Sequence, residues 1–217
     1  MNEQEIRRLV SNVVTRLLLQ EEPANTVPVE VSARHVHLTQ EDVEALFGPG
    51  HTLTHKRNLS QPGQFLAEER VSVVTAKNSF HNVAVLGPAR SHTQVELSMT
   101  DARTLGLKAP IRQSGDTVGC PDVCLMAGSR MICAKESVMV AQNHIHMTPA
   151  DASRYGVADG QKLQVEIETE RPVTFDGVVI RVREDYALAM HIDLDEANAC
   201  AFQTGESGRL VRQEGAK

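Results

Sequence analysis

Two histidines separated by one residue occur twice in this chain, as His35-Val36-His37 and as His144-Ile145-His146, 109 residues apart. In an extended strand alternate side chains share a face, so each pair aims two imidazoles at one point while Val36 or Ile145 faces the other way. Neutral imidazole is a common zinc ligand, and two on one strand need a third donor to build a site that keeps a position open for water or substrate. The segments carrying the pairs correspond without a gap, Val31 to Asp42 with Val140 to Asp151. Both run from the histidines into a threonine, Thr39 or Thr148, with an acidic residue three positions on, the signature of a helix N-cap and capping box.

The same grammar recurs twice without the histidine pair. Glu96 stands two residues before Ser98, with Asp101 three further on, and His191 stands two residues before Asp193, with Glu196 three further on. Aligned on their caps, Glu96 and His191 both fall at the position of His146. The chain therefore offers two candidate three-ligand zinc sites, His35/His37/Glu96 and His144/His146/His191. A lone histidine is ordinarily a hydrogen-bonded structural group; the duplication with matched third positions is what favours metal here. His51, His55, His81 and His92 have no repeat partner and read as surface or turn histidines.

Composition narrows the ligands. A net charge of -6 with no Lys/Arg-rich block argues against nucleic acid as a partner, so an anionic ligand must be held by a few placed cations or by a metal. No run approaches the roughly 20 apolar residues of a membrane span, and no basic region with a cleavage site opens the chain, which predicts a cytoplasmic protein without membrane attachment. Cys120, Cys124, Cys133 and Cys200 form no Cys-x-x-Cys pair; the Cys120-Cys124 spacing is used by some metal sites, but the ordinary reading is reduced, partly buried thiols.

These residues must be positioned by elements of two kinds. Residues 2 to 20 carry Ile6, Leu9, Val10, Val13, Val14, Leu17 and Leu18 at helical spacing, an amphipathic helix that packs on the core, pairs in a homo-oligomer, or docks in a partner's groove. A proline-bearing linker over 21–28 follows. From Val29 on, short alternating or β-branched runs such as 70–75, 81–86, 164–168, 177–183 and 188–192 alternate with turns. The expectation is a mainly β protein with short helices, two small β-barrel domains related by internal duplication, plus the N-terminal helix. The first barrel region spans 29–114, a patternless connector 115–137, and the second barrel 138–212.

Several uncommon motifs then point to a family. Ser32-Ala-Arg-His-Val-His-Leu, Leu86-Gly-Pro-Ala-Arg90, Gln94-Val-Glu-Leu-Ser98, Thr100-Asp-Ala-Arg-Thr-Leu-Gly106, Val140-Ala-Gln-Asn-His-Ile-His-Met147 and Met190-His-Ile-Asp193 resemble, in order, the PduL-type phosphate acyltransferases of bacterial microcompartments. The resemblance covers nearly everything from Val29 to Val211. It implies two β-barrels with two zinc ions between them, a first strand, 29–33, that completes the C-terminal barrel, and interconversion of acyl-CoA plus phosphate with acyl phosphate plus CoA. The N-terminal helix and linker resemble the encapsulation peptides of cargo enzymes, which implies a microcompartment shell protein as partner.

Phosphate attack on a thioester needs a Lewis acid for the developing oxyanion and a clamp for a dianionic nucleophile. Arg90 is the candidate clamp, because guanidinium binds phosphate oxygens in a fork, and the resemblance marks the same residue as the phosphate ligand. Ser114, in Gln-Ser-Gly, is a candidate hydrogen-bond donor to phosphate, against a plain turn serine. A zinc thioester hydrolase would use the same ligands with water as nucleophile, and a non-catalytic scaffold would use the metals only to weld the two halves.

Overall fold

The structure is a computed structural model that describes residues 25–211; the expected helix over residues 1–20 and residues 21–24 of the linker lie outside the described residues. In chain order the elements are β1 (Thr26–Ser32), β2 (His35–His37), α1 (Gln40–Phe47), β3 (His55–Asn58), β4 (Phe65–Val74), β5 (Ser79–Gly87), β6 (Gln94–Glu96), α2 (Met99–Thr104) and β7 (Ile111–Arg112). There follow β8 (Val123–Ala127), β9 (Arg130–Ala134), β10 (Val138–Ala141), β11 (His144–Met147), α3 (Pro149–Tyr155), β12 (Lys162–Ile167), β13 (Val173–Val182), β14 (Ala189–Asp193), α4 (Leu194–Ala199) and β15 (Ser207–Val211).

The strands form two barrel-like sheets, each around its own core. One is a closed barrel in the order β1-β14-β11-β13-β12-β15, whose interior holds Val27, Ile145, Val165, Ile180, Met190 and Leu210. Closure pairs every edge. The other is a nine-stranded sheet in the order β7-β10-β6-β2-β5-β4-β8-β9, with β3 on β4, wrapped around Val36, Val71, Val85, Val95, Leu125 and Val138.

Two stretches differ from the expected boundaries. Residues 26–28, read as linker, open β1: Val27 and Val29 are buried, and that burial outweighs the donor missing at Pro28, which pairs opposite Ser207. Residues 123–134, read as connector, form the β8–β9 hairpin on β4. Its alternation, Val123 and Leu125 buried in a run that also carries one cysteine and one methionine, is too short to stand out from one sequence.

The duplicated units exchange their leading strands. β1 precedes β2 in the chain but runs parallel to β14 in the closed barrel, whereas β2 lies in the open sheet between β5 and β6. Reciprocally, β10 precedes β11 but runs parallel to β6 in the open sheet, whereas β11 lies in the barrel between β13 and β14. Each crossing takes only two residues, Ala33-Arg34 or Gln142-Asn143. The His-x-His segments therefore start right where the chain passes from one sheet to the other.

Among the described residues, all four short helices begin at the expected caps. Thr39, Ser98, Thr148 and Asp193 each accept from the backbone N–H three residues on. The reciprocal carboxylate bond completes a capping box only at Thr148 and Asp193. At Thr39 the expected box is replaced, because the Asp42 carboxylate accepts from the Thr93 hydroxyl instead. At Ser98, Asp101 is taken by Arg34.

Candidate active site at the crossing of the two sheets

The two predicted ligand sets are brought together as the spacing required: the donor atoms of His35, His37 and Glu96 lie within 4.8 Å of one another, and so do those of His144, His146 and His191. Strand register explains why. Glu96 on β6 lies directly opposite His35 on antiparallel β2, and His191 on β14 directly opposite His144 on antiparallel β11. Directly opposed residues share a face, so the third donor joins the histidine pair without any loop excursion. His35 Nε2 is 3.6 Å from Glu96 Oε2, and His37 Nε2 is 3.8 Å from Oε1.

Hydrogen bonds fix the ring orientations identically in both copies. His35 Nδ1 donates to the Ala33 carbonyl at 2.9 Å, and His144 Nδ1 donates to the Gln142 carbonyl at 2.7 Å, both two residues upstream. That tautomer leaves Nε2 with a free lone pair, the arrangement that metal-binding histidines show. His37 Nδ1 and both ring nitrogens of His146 are buried with no hydrogen-bond partner. Orphaned buried nitrogens carry a desolvation cost that a bound cation would relieve, and a His₂Glu or His₃ donor set suits zinc with an open position.

The electrostatics of the two clusters differ. Burial, reinforced by the charge of His191, pushes His144 down to about 4, and burial, reinforced by His144 and then His191, pushes His146 down to about 2. Burial likewise takes His191 down to about 4, against the pull of Glu96. This cluster is three neutral imidazoles at neutral pH, free of proton competition. In the other, burial and then the charge of His35 hold His37 well below its ordinary value. Burial opposes charge on His35 and Glu96 as well, but their attraction wins, raising His35 and holding Glu96 well below the carboxylate range.

Each crossing is latched to the helix that follows its own third ligand. Arg34 forks onto both Asp101 oxygens at 2.8 and 2.7 Å, binding the β1–β2 crossing to α2, which follows Glu96. Asn143 donates to Glu196 at 2.8 Å, binding the β10–β11 crossing to α4, which follows His191. The Asp195 carboxylate accepts from the Thr100 backbone N–H at 2.7 Å, tying the starts of α2 and α4 together.

Both clusters open into one cleft of about 910 Å³ that Arg90 and Ser114 also line. The Arg90 backbone N–H is anchored on the Leu38 carbonyl at 2.8 Å, just past the first histidine pair, and its Nη1 donates to Ser114 Oγ at 3.1 Å. Ser114 in turn donates to Glu96 Oε1 at 3.0 Å. Burial draws the Arg90 guanidinium below its ordinary value, with Glu96 opposing.

Four lining residues, Gln61, Arg181, Arg183 and Tyr186, and the buried Gln94 beside Glu96 had no role assigned from the sequence. Gln94 donates to Glu96 and to Ser114, and accepts from the Gly115 backbone. It stands two residues before Glu96, so the period-2 rule that paired the histidines would have found it. Tyr186 stacks on His146 with ring centroids 4.0 Å apart, and the guanidinium carbons of Arg181 and Arg183 lie 5.9 and 5.1 Å from its ring centroid. These three sit at the end of β13 and in the turn after it, where no periodicity marks them. Gln61 reaches 126 residues along the chain to bracket the Ala187 backbone, and its Nε2 lies 3.4 Å from His191 Nε2.

Comparison with known proteins adds a family. Residues 28–203 match the family model for phosphate propanoyltransferase. The chain is 49% identical over 217 residues to a phosphate propanoyltransferase of Listeria monocytogenes, covering all of both chains. It is 50% identical over 214 residues to one of Priestia megaterium, covering 99% of each. It is 48% identical over 195 residues to one of Thermotoga maritima, covering 89% of this chain and 92% of that one.

Proposed function

The chain belongs to the phosphate propanoyltransferase family and is a phosphate acyltransferase, and from that premise we propose that it interconverts a short-chain acyl-CoA, propanoyl- or acetyl-CoA, and phosphate with acyl phosphate and CoA, using two zinc ions per chain. The observation that carries this reading is the convergence of both three-ligand clusters, Arg90 and Ser114 on one cleft. Zinc held by His35, His37 and Glu96, and by His144, His146 and His191, would supply Lewis acidity for the thioester carbonyl and for the departing thiolate.

The chain's own side chains do the rest. Arg90 presents a fork to two phosphate oxygens and orients the third toward the acyl carbon. Ser114, now bonded to both Arg90 and Glu96, turns its hydroxyl to the bound phosphate and keeps the clamp at a fixed distance from the first cluster. Phosphate oxygen forms the new bond to the acyl carbon, the carbon–sulfur bond breaks, and the sulfur leaves with its electron pair as CoA thiolate. Arg34, Arg57, Arg181 and Arg183 line the same cleft and give it the positive field a substrate with several phosphate charges demands. No cysteine lines the cleft among the described residues, which favours direct attack by phosphate over an acyl-thiol intermediate.

The N-terminal helix, outside the described residues, is proposed to dock the enzyme on a shell protein and so place it inside a bacterial microcompartment of the cytoplasm. The deciding experiment measures thiol release from acetyl-, propanoyl- and butanoyl-CoA, with and without phosphate, on protein of measured zinc content. Release that depends on phosphate and yields acyl phosphate supports the reading. Release at the same rate without phosphate makes the protein a hydrolase, and zinc-loaded protein with no release makes it a scaffold.

A further inference from the structure

Outside the cleft lining, the β8–β9 hairpin brings two of the four cysteines face to face. Cys124 on β8 lies directly opposite Cys133 on β9, and their sulfurs are 2.7 Å apart as free thiols. Directly opposed residues of an antiparallel pair place their Cα atoms at a separation that a disulfide can span. Cys133 is exposed and Cys124 half-buried, so a small oxidant can reach the first and the second is at hand to displace it. Cys120 and Cys200, both buried, are not hydrogen-bonded to either.

The hairpin is also where a cross-link would matter to the fold. β9 is the end strand of the open sheet, held on its free side by no further strand among the described residues. Its first residue, Arg130, packs its guanidinium on Gly48 at the end of α1, the helix that starts three residues after His37. A β8–β9 cross-link would thus hold the edge against which α1 rests.

We propose that Cys124 and Cys133 are a dithiol–disulfide couple, a modification site whose reaction partner is a low-molecular-weight disulfide such as oxidised glutathione. The Cys133 thiolate attacks one sulfur of the small disulfide, forming a mixed disulfide and releasing one small thiolate. The Cys124 thiolate then attacks the Cys133 sulfur, closes the protein disulfide and expels the second small thiolate. Two protein thiols are oxidised, one small disulfide is reduced to two thiols, and two protons pass to solvent or to those thiolates. The Cys133 thiol raises the pKa of Cys124, with burial adding to it, which suits Cys124 to the resolving role.

The full chain incubated with oxidised glutathione is read by intact mass and thiol titration without reductant. The expected result is the loss of two hydrogens per chain, a fall from four titratable thiols to two, and reversal by dithiothreitol. Trypsin leaves Cys133 in the peptide 131–135 and Cys124 together with Cys120 in the peptide 113–130, so the linked pair is mapped again in Cys120→Ser, where the link must persist. Cys124→Ser must stop at one glutathione adduct on Cys133. Four free thiols after incubation, a link that needs Cys120 or Cys200, a link between two chains, or a lasting glutathione adduct on the unaltered chain would each overturn the proposal.

Discussion

Glu196 provides the sharpest quantitative test of how the second crossing is held. Burial raises its carboxyl pKa from 4.5 to about 7; the Asp193 backbone N–H and Asn143 work against that shift, and the charges of Asp193 and Asp195 add to it. The folded carboxyl therefore keeps its proton up to about pH 7, while the unfolded chain releases it near 4.5. Between those values the folded state binds more protons, so stability contributed by this group is present at low pH and falls as pH rises through the folded pKa. A gap of about 2.5 pH units corresponds to roughly 3 kcal/mol at 1.36 kcal/mol per unit. Glu196→Gln removes the titration but offers one oxygen where the carboxylate offers two, one to Asn143 and one to the Asp193 backbone. Losing one such bond costs about 1 kcal/mol. In urea titrations at saturating zinc, wild type and variant should agree within about 1 kcal/mol near pH 5, and the variant should be the more stable by about 2–3 kcal/mol near pH 8. A difference that stays constant from pH 5 to 8, or a wild type that gains on the variant as pH rises, would refute the assignment of a strained carboxylate at this position.

Other perturbations address the site more directly. The double variant His144→Ala, His146→Ala should bring measured zinc from close to two ions per chain to about one, since each cluster supplies its own three ligands; full zinc content would dissolve the second site. Arg90→Ala should lose about 10²–10³-fold in turnover with zinc retained, and Arg90→Lys should restore it only in part because an ammonium lacks the planar fork; unchanged phosphate dependence would move the clamp elsewhere. Arg34→Met frees Asp101 and should weaken zinc at the first cluster by about 10–100-fold in chelator competition, with the second cluster unaffected; equal loss at both sites would mean general unfolding. Deleting residues 1–20 should leave turnover per zinc intact while abolishing co-localisation with a microcompartment shell, and loss of zinc on deletion would place that helix in the core instead.

Much of this arrangement is local and therefore readable in one dimension. The alternation of strand side chains decides that His35 and His37, or His144 and His146, share a face, and the spacing of Thr39, Ser98, Thr148 and Asp193 to the acids behind them decides where the four helices start. The duplication made Glu96 and His191 candidates as third ligands, because a repeated unit repeats its geometry. What no local rule contains is which strand lies beside which. The parallel pairing of β1 with β14 and of β10 with β6 crosses the two copies, and it is this exchange, through two-residue crossings, that sets both clusters on one cleft. Arg34 to Asp101, Gln61 to Ala187, and Tyr186 on His146 span 67, 126 and 40 residues, so their meeting depends on the closed barrel and the open sheet already being packed. Likewise the acid behind each cap was legible, but its partner was not: Asp151 and Glu196 turn back to their caps, whereas Thr93 captures Asp42 and Arg34 captures Asp101, because tertiary neighbours offer those carboxylates better donors than their own helix does.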